Sequence, residues 1–478
     1  MKFVIFSHEN YWLPIVKDFK AQVIWADMTK EETEPKEAEE KTSDVPKRVP
    51  DEQWSAFFAN ELEKRRQLQY RGMITKYPAE EVIERLLSIP KDKRGEYKII
   101  FDFNHGVKFG EELMRAGYSG VFAQQWAYDL ERKRDKASEL VAKHYKEVGR
   151  PIQQKFGTGS ADKMIQFMEK QSDKVWVVKP NGIGLWVFCP QSEEPPIALE
   201  ECRGHIEANK EAVNAIPMIL EERIIGTEIN IETFYFEGKP LYSAVDLENK
   251  FMHTEEVGHQ SGCAFDLVFF VPLDCELRRM CNEPFDKLAR KLNFTGLMDM
   301  NAIIAHRDGK PYFIEFCPNR FGYNATMTEI EAYGKGAEQY VTDLITGKFK
   351  PDYTKFGASI KLFNEDWRED FYDSIFNPDY EGNKVRITHK DKGLWMWDVY
   401  KDGSDLKMAN YSNEVMVTTA ASDTPEGAIE KAKLKAERLV DFDGKYFRGD
   451  VDEYDRSYNP VYRYKYLRDR KLLEEAVV

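Results

Sequence analysis

The sequence predicts an α/β protein with α+β parts. An open parallel α/β domain comes first, a larger α+β region follows, and a small α+β domain lies toward the C-terminus. Three observations predict this. Short apolar runs alternate with helical periodicity over residues 1–125, the pattern of strand–helix–strand units that build a parallel sheet. Over residues 126–350, tight turns at Gly226 and Glu237-Gly238-Lys239 join β-branched segments directly, as in antiparallel sheets. From Pro351 to residue 452, short strands surround one well-signalled helix, and residues 453–478 form a basic, tyrosine-rich tail.

In chain order, the pattern predicts a strand at 2–7, a helix at 11–19 and a strand at 22–25. Residues 29–53 are rich in Glu and Lys, carry Pro35, Pro46 and Pro50, and lack apolar periodicity, so a mobile, acidic, solvated insertion is expected. Helices follow at 54–69 and 79–88, then a strand at 98–103 running into Asn104-His105-Gly106. The middle region should hold helices at 130–148 and 160–169, a strand at 175–179 and two or three strands between 217 and 245. A helix at 276–292 and a hairpin pairing 297–305 with 311–316 across Asp308-Gly309 complete it. Strands are expected at 384–388, 394–399 and 413–418. Asp423-Thr424-Pro425-Glu426 then supplies a helix N-cap, with Ile429, Ala432, Ala436, Leu439 and Val440 on the buried face.

With 42% hydrophobic and 32% charged residues over 478 positions, the chain has the content of a globular enzyme of several domains. It has no apolar run long enough for a membrane helix, no secretory leader pattern and six cysteines without a C-x-x-C pair, so a cytoplasmic, reduced protein is expected. The net charge of −14 disfavours binding polyanions over the whole surface, although a local basic patch is allowed.

Several residues are placed to do chemistry. Lys179 ends a β-branched strand before Pro180-Asn181-Gly182-Ile183-Gly184, where an ammonium and free backbone N–H groups can meet phosphates; a solvated strand-end lysine has the same sequence. Glu221 and Glu228 flank a hinge containing Arg223 and Ile224, whose backbone can read an adenine edge while Glu228 can bind ribose hydroxyls; two glutamates near an ordinary hairpin have the same sequence. Asp299 and Glu315 lie inside the two apolar strands of the hairpin. Buried carboxylates need a cation, and rigid oxygen ligands suit Mg²⁺ (or Mn²⁺) shared with phosphates; salt bridges to arginine are the alternative. The two share a face only if the connecting loop has an odd number of residues. Asn319 and Arg320 follow as a metal-binding amide and a phosphate clamp. His8, Asn10 and His105 follow strands of the first domain, where open α/β sheets bind ligands, and Gly262 is a further substrate-side position. In the tail, arginines and lysines interleaved with tyrosines suit base stacking, or packing of the tyrosines on the body with the charges in solvent.

Taken in order, Lys136, Val-Val-Lys179-Pro, Glu-Glu-x-x-x-Gly226-x-Glu228, Asp299 and Ile-Glu315-Phe resemble the ATP-grasp ligases. That resemblance implies a central ATP-grasp domain at 126–350, Lys136 and Lys179 on ATP phosphates, adenosine on the hinge, and magnesium on the late acidic residues. The segments around Asp135-Lys136-Ala137, from Phe294 to Gly322, and Phe442-Asp443-Gly444-Lys445-Tyr446-Phe447-Arg448-Gly449-Asp450 are similar to the phosphoribosylamine–glycine ligase branch. The branch's glycine-rich first turn is here Ser7-His8-Glu9-Asn10-Tyr11, its phosphate-covering loop is shortened at Gly182-Ile183-Gly184, and its E-F-N triplet has become Glu315-Phe316-Cys317-Pro318-Asn319. The implied activity is carboxylate–amine ligation through an acyl phosphate, with Lys179 and Arg320 catalytic, joining glycine or a small amino acid to a phosphoribosylamine-like amine. The alternatives are ligation to a modified nucleotide or nucleic-acid base, and an inactive ATP-binding scaffold. Small-molecule partners, no membrane, and a monomer or small homo-oligomer are expected.

Overall fold

The computed structural model describes residues 1–7, 10, 12–28, 63–147, 155–181, 187–319, 321, 324–364, 382–389, 391–412 and 414–474. The expected insertion at 29–53, most of the expected helix at 54–69, His8, the Gly182–Gly184 turn and Arg320 lie outside them. Among the described residues the strands form four sheets. The first is parallel, in the order β3-β2-β1-β4-β5, from β1 (Lys2–Ser7), β2 (Val23–Asp27), β3 (Lys76–Pro78), β4 (Tyr97–Phe101) and β5 (Ser119–Val121). Its strands are near-continuous apolar runs because helices cover both faces.

A small antiparallel sheet follows, in the order β6-β8-β7, from β6 (Lys155–Thr158), β7 (Trp176–Pro180) and β8 (Met218–Glu222). Helices Ala161–Lys170 and Pro195–Ala208 close its core over Trp176 and Val178. Ser160 caps the first of them through the Lys163 amide.

The large sheet begins with β9 (Gly226–Phe236), β10 (Lys239–His253), β11 (Val257–Val271), β12 (Gly296–Ala305) and β13 (Pro311–Phe316). It continues through β14 (Phe356–Asn364), and β15 (Lys384–Ile387), β16 (Leu394–Met396), β17 (Val399–Asp402), β18 (Asp405–Met408) and β19 (Glu414–Ser422) follow in the chain. The short strands β20 (Val440–Asp441) and β21 (Lys445–Tyr446) complete the set. The large sheet runs β13-β12-β9-β10-β11-β14-β19-β16, with β21 also on β14; β17-β18-β15-β20 form the fourth sheet. The expected boundary at 350/351 therefore falls between strands of one sheet, because β14 pairs β11 along Phe265–Phe269.

Two cores sandwich the large sheet. Ile229, Ile231, Met298 and Met300 face helices Arg134–Glu147 and Pro425–Arg438, while Phe234, Leu297 and Val268 face helices Ala325–Tyr333 and Ala337–Ile345. Two expected helices are each broken in two. That at 130–148 becomes Gln125–Arg132 and Arg134–Glu147, interrupted at Lys133. That at 276–292 becomes Glu276–Cys281 and Asp286–Leu292, because Pro284 has no N–H to continue the ladder. The helix Pro425–Arg438 starts as expected, with the Thr424 hydroxyl accepting from the Gly427 amide.

Candidate active site

On the small sheet, Lys155 pairs with Glu221 across β6–β8, and Lys179 lies two residues beyond Glu221's partner on β7, so all three side chains share one face. The Glu221 carboxylate is clamped between the ammonium groups of Lys155 (2.6 Å) and Lys179 (2.5 Å), with 1% of its side chain exposed. Burial alone would push Glu221 up, but the two lysines outweigh it and hold the carboxyl below its usual range. Burial pulls Lys155 down against the attraction of Glu221. Lys155 also sits over the Phe313 ring at 5.3 Å, which sets the lysine pair beside β13 of the large sheet. Lys155 was missed by the sequence reading, which marked no strand at β6.

The hinge residues divide. Arg223 turns away, donating to the carbonyls of Pro190 and Ser192. Ile224 packs with Ala305 and Tyr312. Glu228, the first acidic residue of β9, pairs with Lys250 at 2.7 Å, and this ammonium holds it below the usual carboxylate range. Burial pulls Lys250 down, yet Glu228 and Glu248 outweigh it and raise it. Lys250 was not singled out from sequence; Gly262 lies opposite it, in a bulge of β11 between Phe265 and Gln260, with φ +78°.

Asp299 and Glu315 do share a face, by a route the loop-parity argument did not contain. Ala305 and Lys310 close a four-residue connection, an even number. Ile304, Ile303 and Ala302 pair with Pro311, Tyr312 and Phe313, a register that would set Glu315 opposite Met300 on the core face. Ile314 is an extra, bulged residue, so Glu315 pairs instead with Asn301, two residues from Asp299. Phe313 and Phe316 both remain in the core, their rings 4.9 Å apart. Glu315 is also paired with Arg134 at 3.1 Å, the arginine bridge raised as an alternative.

Asn319 is not placed as a metal ligand. Its Oδ1 accepts from the Leu297 amide (3.0 Å), its Nδ2 donates to the Phe122 carbonyl (3.1 Å), and it is fully buried. The amide on the face of Asp299 and Glu315 is Asn301, which the alternation from Asp299 could have revealed. Among the described residues no three His, Cys, Asp or Glu side chains gather to hold a metal by themselves. Two carboxylates and an amide on one face, with 34% of the Glu315 side chain exposed, nevertheless fit a magnesium ion that takes its remaining ligands from phosphate and water.

Other expected residues are engaged elsewhere. Lys136 is half exposed and paired with Asp129, which Lys133 first and Lys136 after it hold down to about 2. Its helix is tied to β7 by the Asp135 amide donating to Asn181. Asn10 is buried: its amide donates to Gln69 (3.1 Å), and its oxygen accepts from the Tyr70 hydroxyl. Asn10 is thus held by the segment at Gln69 and Tyr70, and near it Ser7 donates to Asp102 at 2.6 Å. His105 packs on Phe103 and meets Arg132 at 2.8 Å. The tail forms helix Pro460–Asp469, with Tyr464 packed on Phe269 and Phe356 and Tyr466 beside His306. No described helix is long and apolar enough to cross a membrane.

A small sheet hinged on a large one, with lysines on the first and carboxylates on the second, behind a parallel α/β unit, is the fold of the ATP-grasp ligases. Within that fold the chain is similar to phosphoribosylamine–glycine ligase from Thermotoga maritima, with TM-score 0.63 and 15% identity over 94% of this chain and 100% of that one. It is also similar to the biotin carboxylase domain of 2-oxoglutarate carboxylase from Hydrogenobacter thermophilus, a complex with MgADP, ADP and bicarbonate (TM-score 0.57, 13% identity, 99% of each chain). A third similar structure is phosphoribosylglycinamide synthetase from Anaerococcus prevotii (TM-score 0.53, 13% identity, 92% of this chain and 98% of that one). At these identities the likeness is one of fold. No protein-family model and no curated protein matches the sequence.

Proposed function

We propose that the chain is an ADP-forming carboxylate–amine ligase that uses ATP and Mg²⁺ to join a small amino acid to an amine. The observation that carries this reading is the lysine-clamped glutamate Lys155–Glu221–Lys179 on the small sheet, with Lys179 also acting on Glu228 of the large-sheet face that carries Asp299, Asn301 and Glu315. Lys179 and Lys155 bind the nucleotide phosphates, releasing part of their hold on Glu221, and the hinge backbone between β8 and β9 receives the adenine. Asp299, Glu315 and Asn301 hold the magnesium, which supplies charge neutralisation at the transferring γ-phosphoryl group. The substrate carboxylate attacks that phosphorus in line, giving ADP and an acyl phosphate; the amine then attacks the carbonyl carbon and expels phosphate. Arg320 is the proposed clamp on the leaving phosphate. Closure of the small sheet over the large one keeps out water, which would hydrolyse the acyl phosphate.

One observation favours an amine other than phosphoribosylamine. Beyond β1, the buried Asn10 is hydrogen-bonded to both Gln69 and Tyr70, and Gln69 also reaches Asp398, which leaves these groups engaged rather than open to a ribose phosphate. A modified nucleotide or nucleic-acid base remains the second reading of the acceptor. The packed Tyr464 and Tyr466 leave it little support from the tail.

The test is a hydroxylamine trap with Mg-ATP and a pool of amino acids. Formation of ADP together with an aminoacyl hydroxamate is expected, and the hydroxamate names the acid. Tight ATP binding without ADP in any substrate mixture would replace the ligase reading with that of a scaffold.

A further inference from the structure

The helix Arg134–Glu147 is fastened by its opening residues at three points. The Asp135 amide donates to the Asn181 side chain, one residue beyond β7, at 3.2 Å. The Ser138 hydroxyl donates to the Arg134 carbonyl (2.6 Å) and accepts from the Lys155 ammonium of β6 (2.8 Å). The Arg134 guanidinium pairs with Glu315 of β13 at 3.1 Å. Arg134 therefore stands where the small sheet meets the large one, beside a lysine of the first and on a carboxylate of the second.

Neither neighbour makes this a settled place for a guanidinium. Burial first, and then the positive charges of Lys179 and Arg134, draw the Lys155 ammonium down against the attraction of Glu221. Like charges gathered in this way repel, and an anion placed among them relieves the repulsion. On the other side, Glu315 keeps 34% of its side chain exposed, and an ion pair so open to water adds little stability. The same carboxylate belongs to the proposed magnesium face, where a guanidinium against it opposes a metal ion. Lys136, two residues on, is 52% exposed and held by Asp129, whereas Arg134 is 16% exposed.

We propose that Arg134 is a nucleotide-phosphate ligand that covers the metal carboxylate until the nucleotide arrives. In the nucleotide-free protein Arg134 holds Glu315. A polyphosphate beside Lys155 and Lys179 offers the guanidinium a bidentate partner of higher charge than one carboxylate. Arg134 then turns from Glu315 to phosphate, and Glu315 is released to act with Asp299 and Asn301. Nucleotide and metal binding are thereby coupled through one side chain, so each strengthens the other. The inference rests on the ligase reading for the identity of the anion as a nucleotide.

The experiment uses the full chain and two probes: Mn²⁺ alone, read by electron spin resonance, and the magnesium complex of β,γ-imido-ATP, read by calorimetry. Arg134→Gln should bind Mn²⁺ alone about tenfold more tightly than the wild type, and the nucleotide complex about tenfold more weakly. Adding Glu315→Gln should cancel the gain for Mn²⁺, which assigns that gain to this carboxylate. Arg134→Lys, which keeps the charge without the planar fork, should fall between wild type and Arg134→Gln in both measurements. Lys133→Gln removes a charge one residue away, where it pairs with Asp129, and should alter neither affinity by more than about twofold. Melting temperatures close to that of the wild type show the variants folded. Weakening of both ligands in Arg134→Gln, or no change in either, would reduce the contact to a structural ion pair and overturn the proposal. Tighter Mn²⁺ with unchanged nucleotide affinity would overturn the transfer to phosphate. A wild-type protein that binds no nucleotide would instead overturn the ligase reading, and a gain for Mn²⁺ in Arg134→Gln would still establish that Arg134 covers a cation site.

Discussion

Glu315 lies opposite Asn301 across the β12–β13 ladder, on the face that carries Asp299, only because Ile314 is bulged out of register. The bulge reconciles two demands that a regular hairpin cannot meet: Phe313 and Phe316 both point into the core, and the carboxylate between them points out. Deleting Ile314 should remove the bulge while leaving Glu315 opposite Asn301 and Phe316 opposite Met300, so the variant should fold with its carboxylate still on the Asp299 face and keep its Mg-dependent activity. Glu315→Gln, which keeps the shape, should lower Mg-dependent ADP formation by on the order of 100-fold or more without a comparable loss of melting temperature. Steady-state turnover against Mg²⁺ concentration, beside a thermal melt, checks both variants.

Glu221 depends on two lysines, so the lysines should not be equivalent to neutral residues even without substrate. Lys179→Ala should abolish ADP formation and also cost about 1–3 kcal/mol, since it removes one of two charges compensating a buried carboxylate. The double variant Lys179→Ala/Glu221→Gln should recover stability but not activity. Urea unfolding of the single and double variants measures the coupling.

Lys17, at the end of the short helix Leu13–Val16, reaches the carbonyls of Met396 and Val399, and burial pulls it down to about 7 against the attraction of Asp398. Between about pH 7 and the ordinary lysine value near 10.5 the unfolded chain therefore binds more protons than the folded one, and stability should rise with pH. Below about pH 7 both states are protonated and this slope vanishes. The slope cannot exceed about 1.4 kcal/mol per pH unit for one group. Urea midpoints measured across pH 7 to 9 should show the rise in the wild-type protein and its absence in Lys17→Met.

Arg463 joins β9 and β10 beyond the end of the ladder between them. Arg463→Ala should lower the melting temperature and weaken nucleotide binding, because Glu228 and Lys250 lie on the strands it ties together. Tyr462→Ala, at an exposed position of the same helix, should do neither. Melting curves with and without Mg-ADP separate the two effects.

The engaged groups beyond β1 make a prediction about the acceptor. Ribose 5-phosphate should give no stabilisation of the wild-type protein, since Asn10 is hydrogen-bonded to both Gln69 and Tyr70. A clear shift in melting temperature with ribose 5-phosphate would return phosphoribosylamine to the leading acceptor.

Local sequence determined much of this protein. The apolar run at Lys2–Ser7, the helix Ala79–Ser88, the hairpin turn at Asp308-Gly309 and the Thr424 cap all follow from period, turn chemistry and capping, which act within a few residues. Lys179, Glu221, Glu228, Asp299 and Glu315 were legible because charge inside or at the end of an apolar strand needs an explanation. Tertiary structure alone decided which of these groups meet. Lys155 became a partner of Glu221 through antiparallel pairing at a sequence distance of 66, and Arg463 reached Glu228 across 235 residues. Such contacts are set by register and by the packing of one element on another, which no local pattern encodes. The same reason explains the residues that moved out of the site. Asn319 satisfies buried backbone groups at Leu297 and Phe122, and Asn10 is drawn into hydrogen bonds with a segment dozens of residues away. In each case the need to satisfy a buried polar group, visible only once the chain has folded, overrode the role that its sequence position suggested.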